Sequence, residues 1–539
     1  MLSDPKRIRY ALAAIVVVGA ALRFYPIWFG FPYPHARPDE ETAVDLALAM
    51  QGGDLNPRFF HWPSFAIYLF AAVSAAAAAI RRALSLDPFT NADYVILARG
   101  LVAACGTLTI VALFRLARRT AGAATGLIAA LLLAAALLHV RESHFAMTDV
   151  LMTLLLTTSL ACVIQALDEG MVENTRARAL QRFALAGLLG GLAASTKYSA
   201  AMIVAAMAAA QLAWLTNARK AIWSLAAWMP AVLFATSFVV GFFVGTPYAL
   251  LDSGKFTADL EFDFTHLSEG HGIDLGRGWT YHLNRSLPYG VGLTTFVAAI
   301  VGLVPFARSL GRHAFVLGTF AVAFYASIGS GHTVFFRYVL PLVPIVCLLA
   351  ALGVHETGRW LAARTGASRA LTVGVLAAIV AVPAIVQSAR LDRLLARTDT
   401  RVLAREWLAP RLKADDSLHD SGGTYARLDL QDLRFHQWAY DPASSSFGHP
   451  DGATPDWLVL HDSPLRLYAS APATLRQLAA DKYELLFAVR ATTGRSGSVV
   501  YDLQDAFFLP MSDLETAERP GPTIRIYRRR DAPPLTADR

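Results

Sequence analysis

Charge is the first thing this sequence is short of: 17% of its 539 residues are Asp, Glu, Lys or Arg, against roughly 25% in an ordinary soluble protein. That deficit excludes a wholly soluble enzyme. Cysteine is scarce too. Cys105, Cys162 and Cys347 all fall inside apolar runs, which leaves neither a disulfide framework nor a thiolate metal site and makes them small core residues. The basic residues form no single stripe but sit in small groups between apolar runs, so a pI near 9.3 does not indicate nucleic acid. Also missing are the internal repeats and matched interrupted helices that transporters usually show.

The deficit is uneven. Residues 1–389 hold 28 Lys and Arg against 20 Asp and Glu, a net charge of +8, whereas residues 390–539 hold 20 against 21, a net charge of −1. Membrane composition belongs to the first part and soluble composition to the second. Apolar windows of the roughly 18–22 residues that cross a bilayer core of about 30 Å occur at 10–29, 63–80, 94–114, 121–139, 147–166, 183–195, 199–216, 222–244, 289–307, 313–331, 336–353 and 370–388. The first is too long for a signal-peptide core and has no A-x-A pattern after it, which makes it a retained helix.

Topology follows from the basic loops. Lys6, Arg7 and Arg9, then Arg115, Arg118 and Arg119, Arg176, Arg178 and Arg182, Arg219 and Lys220, Arg308 and Arg312, and Arg359, Arg364 and Arg369 should all stay cytoplasmic. They do so only if one early window fails to span. Window 63–80 opens with Pro63 and ends in Arg81 and Arg82, so it is expected to lie in the outer interface. About eleven crossings remain. The N-terminus is then cytoplasmic, loops 30–93, 140–146, 245–288 and 332–335 face outward, and so does the tail from 390. Segment 183–216 lies between two basic loops, and its 34 residues give only about 51 Å of helix. Two short helices with a tip at Ser195–Tyr198 are expected, with Lys197 in the outer half of the membrane.

In the tail, a helical stretch near 400–412 leads into strand-like runs at 457–460, 484–489 and 523–527. The expected fold is an all-α polytopic membrane bundle, with interfacial helices in loop 30–93, followed by a small soluble α/β or α+β domain over 390–539. The tail carries no Gly-rich nucleotide loop, zinc spacing or nucleophile elbow.

Charged residues near membrane depth are expensive and usually functional, and here they gather outward. The first loop reads Ala36-Arg37-Pro38-Asp39-Glu40-Glu41, and later Gly53-Asp54-Leu55-Asn56-Pro57-Arg58-Phe59-Phe60-His61-Trp62-Pro63-Ser64. Pro38 before acidic residues also makes a good helix start, where carboxylates complement the dipole. The second loop joins Arg141, Glu142, His144 and Asp149; Asp149 alone would serve as a helix cap. Lys197-Tyr198 and Arg337-Tyr338 place cations beside aromatics, although Arg337 alone would serve as a snorkelling anchor. An acidic centre, cations and an aromatic-lined apolar bundle suit a substrate with a phosphate head and a hydrocarbon tail. Asp39 would take a proton from an acceptor hydroxyl. Lys197, Arg337 or His61 would bind the phosphate as leaving group.

At these residues the sequence resembles the C-type membrane glycosyltransferases of the protein O-mannosyltransferase and aminoarabinose transferase type, glycosyltransferase family 39. The resemblance rests on Arg37-Pro38-Asp39-Glu40, residues 53–64, Ser143–Asp149, Ser195–Tyr198 and Arg337–Pro344, in that order. It implies a polyprenyl-phosphate sugar donor, transfer with inversion on the outer face of an inner (plasma) membrane, and a catalytic Asp39 with Glu40. It also implies an Asp149 that holds the acceptor or supports the base, and phosphate contacts from Lys197, Tyr198, Arg337 and Tyr338. His61 stands where some relatives place a Lys. The acceptor would be a glycan, lipid or protein, with Arg141, His144, His266 and His271 as acceptor or supporting residues. In loop 245–288, Asp263, His266, Glu269, His271 and His282 raise a divalent metal as an alternative to an acceptor gate, but no His pair has the i, i+4 spacing. The competing class is a transporter or flippase that binds a lipid-linked sugar without catalysis.

Overall fold

The computed structural model describes residues 4–33, 35–172, 174–217, 223–448, 453–493 and 499–533. The basic loop at Arg219 and Lys220 lies outside the described residues. The chain divides into two compact units, Met1–Ile27 with Asp39–Ala389, and Trp28–Pro38 with Arg390–Arg539. This differs from a single cut at 389 because residues 28–38 belong to the second unit. There the Tyr33 hydroxyl donates to the carbonyls of Tyr425 and Arg427 (3.3 and 2.9 Å), and Arg37 pairs with Asp505 at 2.9 Å.

The first unit is helical. Among the described residues, seven helices are long and apolar enough to cross a membrane, or eight if the bent pair Gly278–Val291 and Leu293–Ser309 is one span. The last of the seven, Arg369–Arg411, runs on past the end of this unit at Ala389. The expected eleven crossings are not confirmed by this count. Asn91–Ala135 enters it once, although Gly122, at φ +88°, breaks it where two windows were expected. Pro5–Phe24, Arg176–Ala194 and Arg312–Gly329 are helices that fall outside the count. Phe65–Ala83, expected to lie in the interface, has the length and composition of a span. Pro63 precedes it and Arg81 and Arg82 close it, so its interior is uninterrupted.

Small residues set the closest helix packing. Helix Arg176–Ala194 lies so near Leu225–Gly245 that a Cβ on Gly187 would stand 2.2 Å from the Phe234 carbonyl oxygen, and one on Gly191 2.0 Å from that of Phe238. Glycines four apart present a groove in which backbones approach, as membrane helices without a hydrophobic driving force require. Arg176–Ala194 ends at Ser195, and a 3-10 turn, Tyr198–Met202, leads into Ile203–Asn217. The break leaves Lys197 in extended backbone at the expected tip.

The second unit holds a five-stranded sheet: β1 (Ser417–Asp420), β2 (His436–Gln437), β3 (Trp457–Asp462), β4 (Tyr483–Val489) and β5 (Thr523–Arg529), ordered β2-β1-β3-β5-β4. β1 runs parallel to β2 and β3, while β5 runs antiparallel to β3 and β4. Alternation along β3 sends Trp457 and Val459 to one core with Ala404 and Leu408 of helix Thr400–Leu408, and Leu458 and Leu460 to another with Leu475 and Ala479 of helix Ala473–Lys482. Burial on both faces explains the continuous apolar run at 457–460.

Candidate active site

A cavity of about 450 Å³ in the first unit collects most of the polar residues singled out above. Asp39, the residue before helix Glu40–Ala49, has a left-handed backbone (φ +71°) and makes no side-chain capping hydrogen bond. The helix-start role therefore does not occupy its carboxylate. Asp tolerates this conformation better than most residues, and strained backbone tends to gather at functional sites. The carboxylate is 37% exposed and lies 3.7 Å from Nη2 of Arg337. Arg337 sits in the 3-10 segment Phe336–Leu342 with its guanidinium 4.0 Å from the Phe335 ring centre.

Asp149 opens helix Asp149–Glu169 and accepts from Nζ of Lys197 at 2.6 Å. The same ammonium stands 4.9 Å from the ring centre of Tyr338. Lys197 comes from the break between two helices, where backbone is free of the helical repeat. Tyr198 lines the cavity too, but its hydroxyl donates to the Phe60 carbonyl at 2.7 Å.

Helix Ser253–Glu269 supplies another wall. Nδ1 of His61 lies 3.1 Å from Asp263 and its Nε2 3.9 Å from Asp259. Burial raises the Asp263 carboxyl to about 6, against the lowering pull of His61 and with Asp259 adding to the rise. Burial also acts upward on Asp259, but Lys255 (2.5 Å) and the Phe60 N–H (2.8 Å) outweigh it and hold that group below the usual carboxylate value. His266 and His271 line the cavity with their ring nitrogens 3.2 Å apart. Among the described residues, no group of three or more His, Cys, Asp and Glu is placed to hold a metal ion.

Three of the residues singled out from the sequence lie off the cavity. Glu40 is buried and meets Arg99 in two hydrogen bonds, 2.9 Å to Nε and 2.7 Å to Nη2, and it also accepts from the Ala146 N–H at 2.7 Å. Arg141 is buried in an ion pair with Glu142. His144 is buried between the carbonyls of Val140 and Tyr25, 2.9 Å from each. Each is consumed by internal contacts, because the second loop folds back into the bundle rather than out to solvent. Sequence reasoning missed Arg99, the buried partner of Glu40, and Asp259, which stands beside His61. Arg99 is a cation inside an apolar window, which alone marks it for attention. Asp259 stands four residues before Asp263, on one helix face.

The cavity thus joins a half-exposed carboxylate, two cations and a wall of Met147, Met152, Met202, Leu260 and Leu267. Its lining offers polar groups for a charged head and apolar side chains for a hydrocarbon chain.

Residues 92–243 match the family model described as dolichyl-phosphate-mannose-protein mannosyltransferase, less than half of the chain. Among solved structures, ArnT from Cupriavidus metallidurans bound to undecaprenyl phosphate matches at 14% identity and a TM-score of 0.53, covering 99% of this chain and 100% of that one. The same protein in its apo state matches at 16% identity and 0.50, over 96% and 97%. The apo oligosaccharyltransferase of Archaeoglobus fulgidus matches at 13% and 0.51, over 76% of this chain and 59% of that one. The chain spans about three-fifths of the length of that archaeal protein. No curated protein sequence matches it. At these identities the likeness is one of fold, and it extends over nearly the whole of this chain and of ArnT.

Proposed function

We propose that this integral membrane protein transfers a sugar from a polyprenyl-phosphate donor to an acceptor hydroxyl, with inversion, on the outer side of an inner (plasma) membrane. The observation that carries the reading is Asp39: it stands at the cavity with no capping role, 3.7 Å from Arg337, with Lys197 on the same cavity. The basic loops between apolar runs support the orientation. The fold shared with ArnT, whose structure holds undecaprenyl phosphate, supports the donor class.

In this reading the acceptor oxygen attacks the anomeric carbon while its proton passes to an Asp39 carboxylate oxygen. The bond from that carbon to the phosphate oxygen breaks, and its electron pair stays on the phosphate. Arg337 and Lys197 stabilise that charge where water is excluded. Polyprenyl phosphate leaves, and Asp39 returns its proton to solvent. Attack opposite the leaving phosphate inverts the anomeric configuration. Lys197 also holds Asp149, so phosphate binding and the placement of the second acid are linked. Glu40 acts indirectly, by pinning the Asp39 backbone to Arg99 and the second loop.

Lipid extraction of the purified protein, followed by mass spectrometry, tests the donor class. A polyprenyl phosphate or its sugar ester is expected in wild type and in Asp39→Asn, and depleted in Arg337→Ala. A bound lipid without phosphate in all three would remove the reading. A transporter would leave the same lipids bound but release no polyprenyl phosphate when given polyprenyl-phosphate sugars and acceptor extracts.

A further inference from the structure

The second unit has a crevice of its own, of about 700 Å³, within the roughly 300–1,000 Å³ range of small-molecule sites. Its place follows from topology. The connection leaving β1 leads to β2 on one side, while the connection leaving β3 leads through helix Ala473–Lys482 to β4 at the opposite edge. Neighbouring parallel strands whose connections diverge leave an opening at their carboxyl ends, where open α/β sheets bind ligands. The crevice is lined by Asp420 at the end of β1, Trp438 and Tyr440 after β2, and Arg466 and Tyr468 after β3.

Its chemistry is specific. Asp420 is the sole acidic residue on the lining among the described residues, and it is fully engaged: it accepts from the N–H groups of Gly422 (2.8 Å) and Leu428 (3.0 Å) and stands 2.8 Å from Nε2 of His461. It shapes the loop rather than facing a ligand. Arg427 and Arg466 are exposed on the same lining, and among the described residues neither guanidinium has a hydrogen bond or ion pair. The crevice is therefore cationic. Tyr440 and Tyr468 are held by their hydroxyls, to Thr474 at 2.7 Å and the Gln504 carbonyl at 2.6 Å, which fixes both rings at the rim. Half-buried Trp438 adds an aromatic surface, and Ser421, Gln437 and Ser470 add neutral donors and acceptors.

We infer that this crevice binds an anionic saccharide, one whose sugar rings stack on Trp438 and Tyr440 and whose carboxylate or phosphate meets Arg427 and Arg466. Aromatic faces beside neutral hydroxyl and amide groups match a sugar ring, apolar on one face and rimmed by hydroxyls. Paired guanidinium groups match planar or tetrahedral oxyanions. An acidic peptide is less well served, because the nearest sheet edge is the two-residue β2. The inference rests on the transferase reading only in naming this saccharide as the acceptor class; binding itself needs no turnover.

The test uses the full chain in detergent and isothermal titration with trigalacturonate, maltotriose and tetraglutamate. Saturable binding of trigalacturonate is expected, weakened more than tenfold by Arg427→Ala with Arg466→Ala, weakened also by Trp438→Ala, and falling with added salt. Maltotriose should bind more than tenfold more weakly and tetraglutamate not at all. No saturable binding of trigalacturonate, equal affinity in the double variant, or tetraglutamate binding as tightly would each overturn the proposal. Equal affinity for maltotriose would overturn its anionic part. The altered residues are exposed or half-buried, and unchanged thermal melting of the variants shows that lost binding is not lost folding. Asp39→Asn should bind trigalacturonate as wild type does. Should that variant still turn over, the transferase mechanism fails while the crevice stands.

Discussion

Asp39 and Glu40 are neighbours in sequence and belong to opposite regions of the membrane unit. Glu40 lies in a buried polar cluster with Arg99, beside Arg141, Glu142 and His144, each 3% exposed or less. Asp39 lies on the cavity, 37% exposed, with a cation near but not in hydrogen-bond contact. One cluster is closed and the other is open. Satisfied buried polar groups hold a structure in one arrangement, whereas reaction requires groups whose bonding capacity is still available. Composition and order do not separate the two classes; the side to which the backbone turns at φ +71° does.

The largest effects would test that contrast directly. Asp39→Asn should lower turnover by about 10²–10⁴-fold, the range for a general base, with the melting temperature unchanged. Glu40→Gln should do the reverse. It leaves Arg99 as a buried charge without its partner, at a cost of about 3–5 kcal/mol, seen as a lower melting midpoint even where residual activity persists. If Asp39→Asn melts early and Glu40→Gln does not, the two clusters have been assigned the wrong way round.

A second pair of variants sharpens the same contrast within the bundle. Gly191→Leu puts a side chain where even a Cβ meets the Phe238 carbonyl at 2.0 Å, and should cost about 1–3 kcal/mol through overpacking. Arg337→Gln removes a cation from the cavity where the proposal seats the donor phosphate, and leaves a shorter, neutral polar group. It should weaken donor binding by about tenfold, one charge-assisted hydrogen bond, and lower the melting temperature much less than Gly191→Leu.

Much of this was legible in the sequence, for reasons that differ by region. Long apolar runs with basic loops announce membrane helices because the bilayer forces both, and the break at Ser195–Tyr198 followed from the length between two basic loops. The number of crossings was not legible in the same way. Phe65–Ala83 has a span's length and composition, and a parity argument depends on every loop at once. The residues of loops 30–93 and 140–146, with Asp149 just after, were legible as a group because charge near a membrane is rare, yet their division was not. Arg141 and His144 turn inward through hydrogen bonds to carbonyls and neighbours that no spacing encodes. The inclusion of residues 28–38 in the second unit rests on Arg37 meeting Asp505, partners 468 residues apart.

The smallest predicted effect concerns the wall opposite the cations. Asp263 titrates at about 6 instead of 3.8, so it is neutral below that pH and anionic above it. The groups that face it are His61 at 3.1 Å, with Asp259, Tyr198 and Lys197 acting at longer range. Because the folded chain holds this proton more tightly than the unfolded chain, ionisation lowers stability as pH rises from 3.8 to about 6. The same ionisation adds a negative charge to the cavity in which the proposal seats the donor phosphate. A polyprenyl-phosphate sugar is a phosphodiester with no ionisation in this range, so any step belongs to the protein. Donor affinity in wild type should fall a few-fold as pH rises through about 6. Asp263→Asn should abolish that step, keep the tighter low-pH affinity at pH 7, and flatten the melting temperature over the same interval. A step that survives in Asp263→Asn would place the titrating group elsewhere. The division between open and closed clusters would then have to be drawn without Asp263 on the open side.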